Sequence, residues 1–237
     1  MLERVRIILS HTSHPGNIGA SARAMQNMGL NELYLVAPKL FPDPEATTRA
    51  KHATAILEQA VVTEDIDAAL EQCTLVFGTT ARDSSLGMPV LTPEAAMHLV
   101  AKTKKAAVLF GAERTGLTKM ELQRCNYIIS IPTSGAYISL NLAQAVQIIC
   151  YEYCKNYQEL SLSNEKCVVD IATADQLADF YSSLEQILIA IDMLNPSVPK
   201  TLMQRMRELF NRANITGVEL SMLRGMLTAI NRKLEDD

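Results

Sequence analysis

The stretch at residues 131–149, IPTSGAYISLNLAQAVQII, decides the fold because it joins the end of a short apolar strand to a long apolar helix. The loop between them carries Ser139 and Asn141, which are poor residues inside a helix but good helix caps and hydrogen-bond donors. Six of the eight residues at 142–149 are apolar, so this helix is predicted to be buried. Such a loop offers backbone N–H groups to a ligand, and an ordinary strand-loop-helix corner is the alternative.

Two more strand ends lead into polar or glycine-rich loops. The apolar strand at residues 5–9 opens into HTSHPGNIGASAR at 11–23, and the strand at 107–110 opens into GAERTGL at 111–117. In an open α/β sheet, ligands bind outside the carboxyl ends of the strands. The three loops are therefore predicted to converge on one pocket.

Alternating strand and helix patterns along the chain predict an α/β fold with a parallel, doubly wound sheet. The helix starts carry chemical markers: Thr92-Pro93 is typical of an N-cap followed by proline, and Thr118-x-x-Glu121 is a capping box. The predicted strands are residues 5–10, 33–37, 75–79, 107–111 and 128–131.

The pattern changes after Tyr157, where a polar stretch without apolar periodicity indicates a linker. We divide the chain into a main domain at residues 1–157, a linker at 158–172 and a three-helix module at 173–237. About 60 residues bury only a small core. The module is therefore expected to pack on the main domain or on a second subunit.

Charge is distributed unevenly along the 237 residues. The formal net charge is −4, which argues against a nucleic-acid partner for the chain as a whole. Residues 200–233, however, hold seven lysines and arginines against two glutamates. This basic module on an acidic body fits a phosphate-binding surface, and a solvated helix face is the alternative.

Several classes of protein are disfavoured by the sequence. No apolar run of about 18 residues exists, and the charged N-terminal MLERVRII lacks a signal-peptide core, so a cytoplasmic protein without membrane insertion is expected. Five cysteines without a C-x-x-C pair suggest neither a disulfide framework nor a metal site. The glycine motifs of dinucleotide-binding proteins, phosphate-loop enzymes and hydrolases are absent from the sequence.

Three ordered motifs resemble those of the SPOUT RNA ribose 2'-O-methyltransferases. They are Asn17-x-Gly19 with Arg23, Phe110-Gly-x-Glu113-Arg-x-Gly116-Leu, and Ile131-Pro with Ser139-Leu-Asn141. The added Gly78-Thr-Thr-Ala-Arg82 and the C-terminal helices make the chain similar to the TrmJ-type branch, tRNA methyltransferases that act on the anticodon loop. The resemblance is close over residues 1–157 and loose beyond them.

The resemblance implies a SPOUT-type α/β fold with a C-terminal trefoil knot, one of the exceptions to the rule that folds avoid knots. It also implies S-adenosyl-L-methionine as cofactor, tRNA as partner, and a homodimer in which two knotted domains complete each active site. The residues expected to line the cofactor pocket are Thr79, Thr80, Ala81, Gly111, Ile131, Ile138, Ser139 and Leu140.

The same resemblance suggests roles for the polar residues of the motifs. Arg23 matches the family's catalytic arginine, which is proposed to assist deprotonation. Since a guanidinium is essentially always protonated, we expect Arg23 to orient phosphate and stabilise the developing alkoxide, with action as a base only under severe desolvation. Asn17 is expected to hold Arg23 or the ribose, and Glu113 an arginine or the partner loop. Ser139 and Asn141 would contact the ribose or cap their helix. Expected RNA contacts are Arg82, Arg114, Lys200, Arg205, Arg207 and Arg212, while His11 and His14 have no assigned task.

Two alternatives remain open at this point. One is a TrmH-like enzyme that methylates another tRNA position or rRNA, against which the C-terminal module is the evidence. The other is a catalytically silent RNA-binding assembly factor. The evidence against it is the presence of all five polar motif residues, Asn17, Arg23, Glu113, Ser139 and Asn141.

Overall fold

The computed structural model describes residues 4–81, 87–135, 138–162, 170–195 and 201–236. Within these ranges, seven parallel strands form one sheet in the order β3-β2-β1-β6-β4-β7-β5 when they are numbered along the chain. They are β1 (Val5–Ser10), β2 (Leu33–Val36), β3 (Val61–Thr63), β4 (Leu75–Thr79), β5 (Val90–Leu91), β6 (Ala106–Phe110) and β7 (Tyr127–Ile129).

Helices connect the strands and follow the last of them. The connecting helices are α1 (Pro15–Asn27), α2 (Pro44–Ala50), α3 (Thr54–Glu58), α4 (Ile66–Leu70), α5 (Pro93–Val100) and α6 (Lys119–Leu122), with a short 3-10 turn at Lys51–Ala53. After the sheet come α7 (Leu142–Leu162), α8 (Ala174–Ala190), α9 (Thr201–Ala213) and α10 (Gly217–Asp236). No described helix is long and apolar enough to cross a membrane.

The sheet is covered on both faces, as parallel sheets usually are. Successive side chains of a strand point to opposite faces. Accordingly, Ile7 and Leu9 of β1 pack into the core beneath α1, α5 and α7, whereas Ile8 packs into the core beneath α4. This two-sided burial confirms the predicted α/β architecture and leaves the strand ends as the open edge.

Gly19 allows α1 and α2 to pack closely. A Cβ atom at Gly19 would lie 2.0 Å from the carbonyl oxygen of Ala46 in α2. Side chains do not approach backbone atoms so closely, and the two helices would have to move apart. The glycine of the first motif therefore has a structural task.

We expect Gly19→Ala to lower the free energy of unfolding by about 3 kcal/mol, the upper part of the range for overpacked sites. Gly225→Ala is the matched control, because a Cβ there meets no atom within 4 Å. Alanine in that exposed helical position should stabilise the protein by about 0.5 to 1 kcal/mol. Urea unfolding of both variants checks the pair, and a harmless Gly19→Ala would contradict the packing argument.

The predicted strands agree with the observed ones to within one or two residues, but β3 and β5 were not predicted. Both are very short edge strands, and the exposed Val61, Val62 and Val90 give them little apolar pattern. The buried helix predicted after residue 141 is confirmed in part: Val146 and Ile149 are buried, whereas Gln144 is exposed.

The prediction of a linker at residues 158–172 places the end of the preceding helix too early. Helix α7 continues to Leu162, because Gln158 and Glu159 are good helix formers despite their polarity. The remainder of the predicted linker, residues 163–169, lies outside the described ranges. Helices α8, α9 and α10 follow as predicted, and around Phe180 they share a core of their own.

Buried amides join this helical module to the sheet domain, in a contact that we call the asparagine seam. The side-chain amide of Asn211 in α9 donates to the Gln123 carbonyl at 2.9 Å and accepts from the Tyr181 hydroxyl at 2.7 Å. Asn126, ahead of β7, donates to the Asn211 carbonyl at 2.9 Å and accepts from the Val76 N–H at 2.8 Å. The module is thus hydrogen-bonded to the sheet domain of its own chain.

Candidate active site

A cleft of about 480 Å³ opens at the carboxyl ends of β4, β6 and β7. Its walls come from three separate loops, those that follow each of these strands. All eight residues expected to line the cofactor pocket lie along it: Thr79, Thr80, Ala81, Gly111, Ile131, Ile138, Ser139 and Leu140. The second and third motif loops therefore converge on the cleft as expected. The first loop does not line the cleft and is connected to it by hydrogen bonds to Glu113.

Glu113, which follows β6, fastens the loop that precedes α1. Its carboxylate accepts hydrogen bonds from the N–H and hydroxyl of Ser13 at 3.0 and 2.8 Å, and from the His14 N–H at 3.2 Å. The side-chain amide of Asn17 adds a fourth donor at 2.9 Å. The expected partner among the arginines is not observed, since these donors occupy both carboxylate oxygens.

This set of donors determines the ionisation of Glu113. Partial burial alone would raise its pKa, but the hydrogen bonds from the Ser13 backbone, the Asn17 amide and the Ser13 hydroxyl outweigh it and lower the pKa to about 2, from 4.5. A lowered folded-state pKa stabilises the folded protein above the ordinary carboxyl pKa. That contribution is lost as the pH falls through the folded-state value.

We expect Glu113→Gln to lower the free energy of unfolding near neutral pH, with the gap to the wild type closing as the pH falls from about 5 to about 2. Denaturant titrations across this range measure the gap. The matched control is Glu58→Gln at the exposed end of α3, whose profile should run parallel to that of the wild type. A gap for Glu113→Gln that stays constant down to the lowest pH would contradict the assignment.

A chain of amides links the first and third motifs to Glu113. Asn141 accepts from the Ala143 N–H at 3.0 Å, which caps α7, and its amide nitrogen donates to the Asn17 oxygen at 3.0 Å. Asn17 can then only donate toward Glu113, as its 2.9 Å contact requires. A backbone donor at one end and a carboxylate at the other fix both amide orientations. Asn141 is thus both a helix cap and a positioning group.

Arg23 lies apart from this amide chain. It is exposed in the third turn of α1, further along the helix than the first turn or two that the motif suggested. Asn17 was expected to hold Arg23 or the ribose; within this chain its side chain bonds to Glu113 and Asn141 and not to Arg23. The guanidinium is left available to a ligand from outside.

Gly111 lies in the cleft wall for a different reason from the one expected. A Cβ there would lie 2.1 Å from the backbone of Gly116 and Leu117, which fold back over it. The glycine therefore lets its own loop close, and a larger residue would displace that loop before it obstructed a ligand.

The basic residues predicted to contact RNA fall into three groups. Arg114 lies along the cleft and is exposed, and Arg205 and Arg212 are exposed on α9. Arg207 differs: its guanidinium stacks over the Tyr181 ring at 4.6 Å, and burial lowers its pKa. Arg207 is therefore packed beside the asparagine seam and is a poor candidate for a phosphate contact. Arg82 and Lys200 lie outside the described residues.

Sequence reasoning missed several polar contacts at the strand ends. Ser13 and His14 hold the first loop, and His14 also caps α1 by accepting from the Gly16 N–H at 3.1 Å. Pro15 directly after His14 was the available signal, because proline favours the first helical position. The contact between Ser10 and Glu121 joins residues 111 positions apart, and no local pattern reveals it. Among the described residues, no group of three or more His, Cys, Asp or Glu side chains is arranged to hold a metal.

Comparison with known proteins places this architecture in a family. Residues 4–151 match the SpoU rRNA Methylase family, and residues 175–237 match the C-terminal domain of the tRNA methyltransferase TrmJ. A tRNA (cytidine/uridine/adenosine-2'-O-)-methyltransferase TrmJ from Pseudomonas aeruginosa is 42% identical, over 96% of this chain and 94% of that protein. A Yersinia pestis TrmJ, named as a tRNA (cytidine/uridine-2'-O-)-methyltransferase, is 41% identical over 98% and 93%.

Solved structures agree with the sequence comparisons. The crystal structure of TrmJ from Z. mobilis ZM4 superposes with a TM-score of 0.85 at 32% identity, covering 95% of this chain and 98% of that one. The structure of a SpoU methyltransferase, AviRb from Streptomyces viridochromogenes, in complex with AdoMet shares the fold with a TM-score of 0.52 at 22% identity, covering 66% and 59%. The motifs, the fold and these relatives together establish that this chain belongs to the SpoU family of SPOUT RNA methyltransferases, in its TrmJ-type branch.

Proposed function

We propose that this protein transfers a methyl group from S-adenosyl-L-methionine to the ribose 2'-hydroxyl of a cytidine or uridine in the anticodon loop of tRNA. The observation that carries the proposal is the single site built by three motifs, with Glu113, Asn17 and Asn141 hydrogen-bonded in series beside one cleft. The names of the TrmJ relatives support the reaction. A further solved structure, with a TM-score of 0.53 at 25% identity, is described as concerning 2-OH methylation of C/U34 on tRNA.

The cleft fits S-adenosyl-L-methionine by size and by chemistry. Its volume of about 480 Å³ lies in the usual range for small-molecule sites. Ile131, Ile138 and Leu140 provide apolar surface for an adenine ring, and the backbone of residues 79–81 and 111–116 provides hydrogen-bonding groups along the walls. Bound there, the sulfonium would supply an electrophilic methyl carbon.

The residues of this chain would act mainly by positioning. Holding a hydroxyl in line with an electrophilic carbon removes much of the barrier to such a reaction. The amide chain fixes the start of α7, and with it Ser139 and Leu140 in the cleft wall. Arg23 would bind the phosphate next to the target nucleotide and stabilise negative charge on the 2'-oxygen as it attacks.

We further infer a knotted homodimer that works on tRNA in the cytoplasm. Knotting and dimerisation are expected from membership of the family. The exposed position of Arg23, outside the walls of its own cleft, fits an arrangement in which it serves the cleft of a second copy.

The exposed basic residues of α9 are proposed to bind tRNA phosphates. Neutralising Arg205 and Arg212 together should lower the slope of log affinity against log salt by about 0.7 to 0.9 for each lost contact. Arg207→Ala is the informative control: it should leave this slope unchanged, because the side chain packs on Tyr181. An unchanged slope for the double variant would place the RNA surface elsewhere, starting with Arg114.

Point substitutions test the RNA surface better than removal of the module does. Deleting the module would strip the asparagine seam and leave Asn126 and Cys73 without their partners in Asn211 and Ala174. A loss of activity after that deletion would therefore mix RNA binding with damage to the sheet domain.

Nucleotide-resolved mapping of 2'-O-methylation tests the proposal as a whole. Total RNA from cells with and without the gene, and bulk tRNA incubated with purified protein and S-adenosyl-L-methionine, should both gain a mark in the anticodon loop only when the protein is present. A mark at another tRNA position or in rRNA would support the TrmH-like alternative. Cofactor and tRNA binding without any transfer would support the silent assembly factor.

A further inference from the structure

The residues at the end of β1 form a polar cluster that the roles above do not use. The hydroxyl of Ser10 donates to Oε1 of Glu121 and lies 2.8 Å from Nδ1 of His11. The other oxygen of Glu121, Oε2, accepts from the N–H and the hydroxyl of Thr118 at 2.6 and 2.7 Å. Glu121 is only 6% exposed, whereas the side chain of His11 is 57% exposed. A buried carboxylate is thus connected through a hydroxyl to a ring at the surface.

The directions assigned to the hydrogen bonds in this cluster indicate which tautomer of the His11 ring they favour. Ser10 has one hydroxyl proton, and Glu121 receives it. The serine oxygen can then only accept from His11, so Nδ1 carries a proton. In the neutral ring, Nε2 is left with a lone pair and is the atom able to accept a proton.

The cluster lies next to the walls of the cleft. Leu9 in β1 pairs with Phe110 in β6, so Ser10 lies at the level of Gly111, and Glu121 belongs to the same short helix as the cleft residues Lys119 and Leu122. His11 itself adopts a left-handed backbone conformation, with φ of 53°. Such strain in a residue other than glycine is found preferentially at functional sites.

We propose that His11 is the proton acceptor of the methyl transfer, with Ser10 and Glu121 as positioning residues. The inference rests on the proposed function. As the ribose 2'-oxygen forms its bond to the methyl carbon, the carbon–sulfur bond breaks and its electron pair stays on sulfur. The 2'-hydroxyl proton passes to Nε2 of His11. The resulting imidazolium is stabilised by Glu121, whose Oε1 lies 3.8 Å from Nδ1.

This assignment separates two tasks that a single arginine could not perform together. The guanidinium of Arg23 is already protonated and has no lone pair to offer. It is suited to phosphate and to the developing oxyanion. A neutral imidazole with a fixed tautomer is suited to take the proton.

Among the described residues, Glu121 is the carboxylate that lies beside the His11 ring, with its Oε1 3.8 Å from Nδ1. From β2, the Val36 carbonyl accepts from the His11 N–H at 2.8 Å, and the Lys39 backbone bonds to the Thr12 carbonyl at 3.0 Å. On the same loop as His11, the His14 side chain accepts a hydrogen bond from the Gly16 N–H. Glu113, on the loop after β6, accepts one from the Ser13 N–H. Glu121 is therefore placed to stabilise the imidazolium that forms when His11 takes a proton.

The test is the pH dependence of single-turnover methyl transfer to tRNA at saturating cofactor. Wild-type transfer should fall at acidic pH with the slope of one proton. His11→Gln should lower the rate about 10² to 10⁴-fold, the usual contribution of a general base, and abolish that acidic limb. Ser10→Ala should lower the rate by a smaller factor and keep the fall in rate at acidic pH, because the ring remains but its tautomer is no longer fixed. His98→Gln, exposed on α5, is the matched control and should behave as wild type.

Binding measurements separate this role from others. Cofactor and tRNA dissociation constants should stay within about twofold of wild type in both variants. If His11→Gln weakens tRNA binding by the factor it removes from the rate, His11 is an RNA contact and the proposal is wrong. An active His11→Gln with the wild-type acidic limb also overturns it. A wild type that methylates no RNA would instead refute the proposed function, so the two failures are distinguishable.

Discussion

Replacing Arg23 by alanine is expected to lower methyl transfer about 10³-fold, the effect of removing one well-placed group that stabilises an oxyanion. The side chain is exposed on α1, outside the walls of its own cleft, and is proposed to contact the RNA phosphate and not the adenosyl group, so cofactor affinity should stay within about twofold of wild type. Single-turnover transfer to tRNA and calorimetric titration with S-adenosyl-L-methionine measure the two quantities. Together they separate chemistry from cofactor binding.

Arg23→Lys is the control for charge. Lysine keeps the positive charge but lacks the planar fork that grips phosphate through two hydrogen bonds, so only partial recovery is expected. A large loss of cofactor affinity in folded Arg23→Ala would show that the arginine serves the cofactor and not the RNA. Full activity would remove Arg23 from the mechanism.

Asn211→Leu is expected to produce the largest loss of stability, about 3 kcal/mol or more in the free energy of unfolding. Leucine occupies a similar volume but leaves the Gln123 carbonyl and the Tyr181 hydroxyl buried without their partner. Each orphaned group of this kind costs about 1 to 3 kcal/mol. Urea unfolding monitored by circular dichroism measures the loss.

Asn231→Leu makes the same substitution at an exposed position of α10 and should change stability by no more than about 0.5 kcal/mol. Tyr181→Phe removes the other end of one seam hydrogen bond. Its effect should be less than additive with that of Asn211→Leu, because the two residues share a contact. Full additivity would mean that the hydrogen bond at 2.7 Å contributes nothing to stability.

The sequence predicted the sheet and the convergence of the loops after its strands well, because both depend on local patterns. Apolar runs such as residues 75–79 mark buried strands, and the loops after them carry polar residues and glycines that reach one edge. Thr118 and Glu121 predicted a capping box that the structure contains. The resemblance to the family supplied Arg23 and the cofactor pocket, which composition and periodicity alone do not reveal.

The partners of individual side chains could not be predicted in this way. Glu113 was assigned to an arginine or a partner loop, yet its donors are residues 13, 14 and 17, about a hundred positions away. In the sequence, Arg207 cannot be told from its basic neighbours, but in the structure its guanidinium stacks on the Tyr181 ring. A hydrogen bond between distant segments depends on how the elements pack, and a single sequence carries little trace of it.

The asparagine seam also bears on how such proteins can be recombined. A chimera that joins α8–α10 of this chain to the sheet domain of another protein keeps these hydrogen bonds only if that domain offers a matching asparagine at position 126, so the segment at 123–126 should be transferred together with the module. A mismatched polar contact at a buried boundary costs more than a mismatched apolar one, because amides do not adjust as methyl groups do. The helical module therefore cannot be exchanged freely between proteins. A hybrid whose junction lies between α7 and α8, without the matching segment of the sheet domain, is expected to fold poorly.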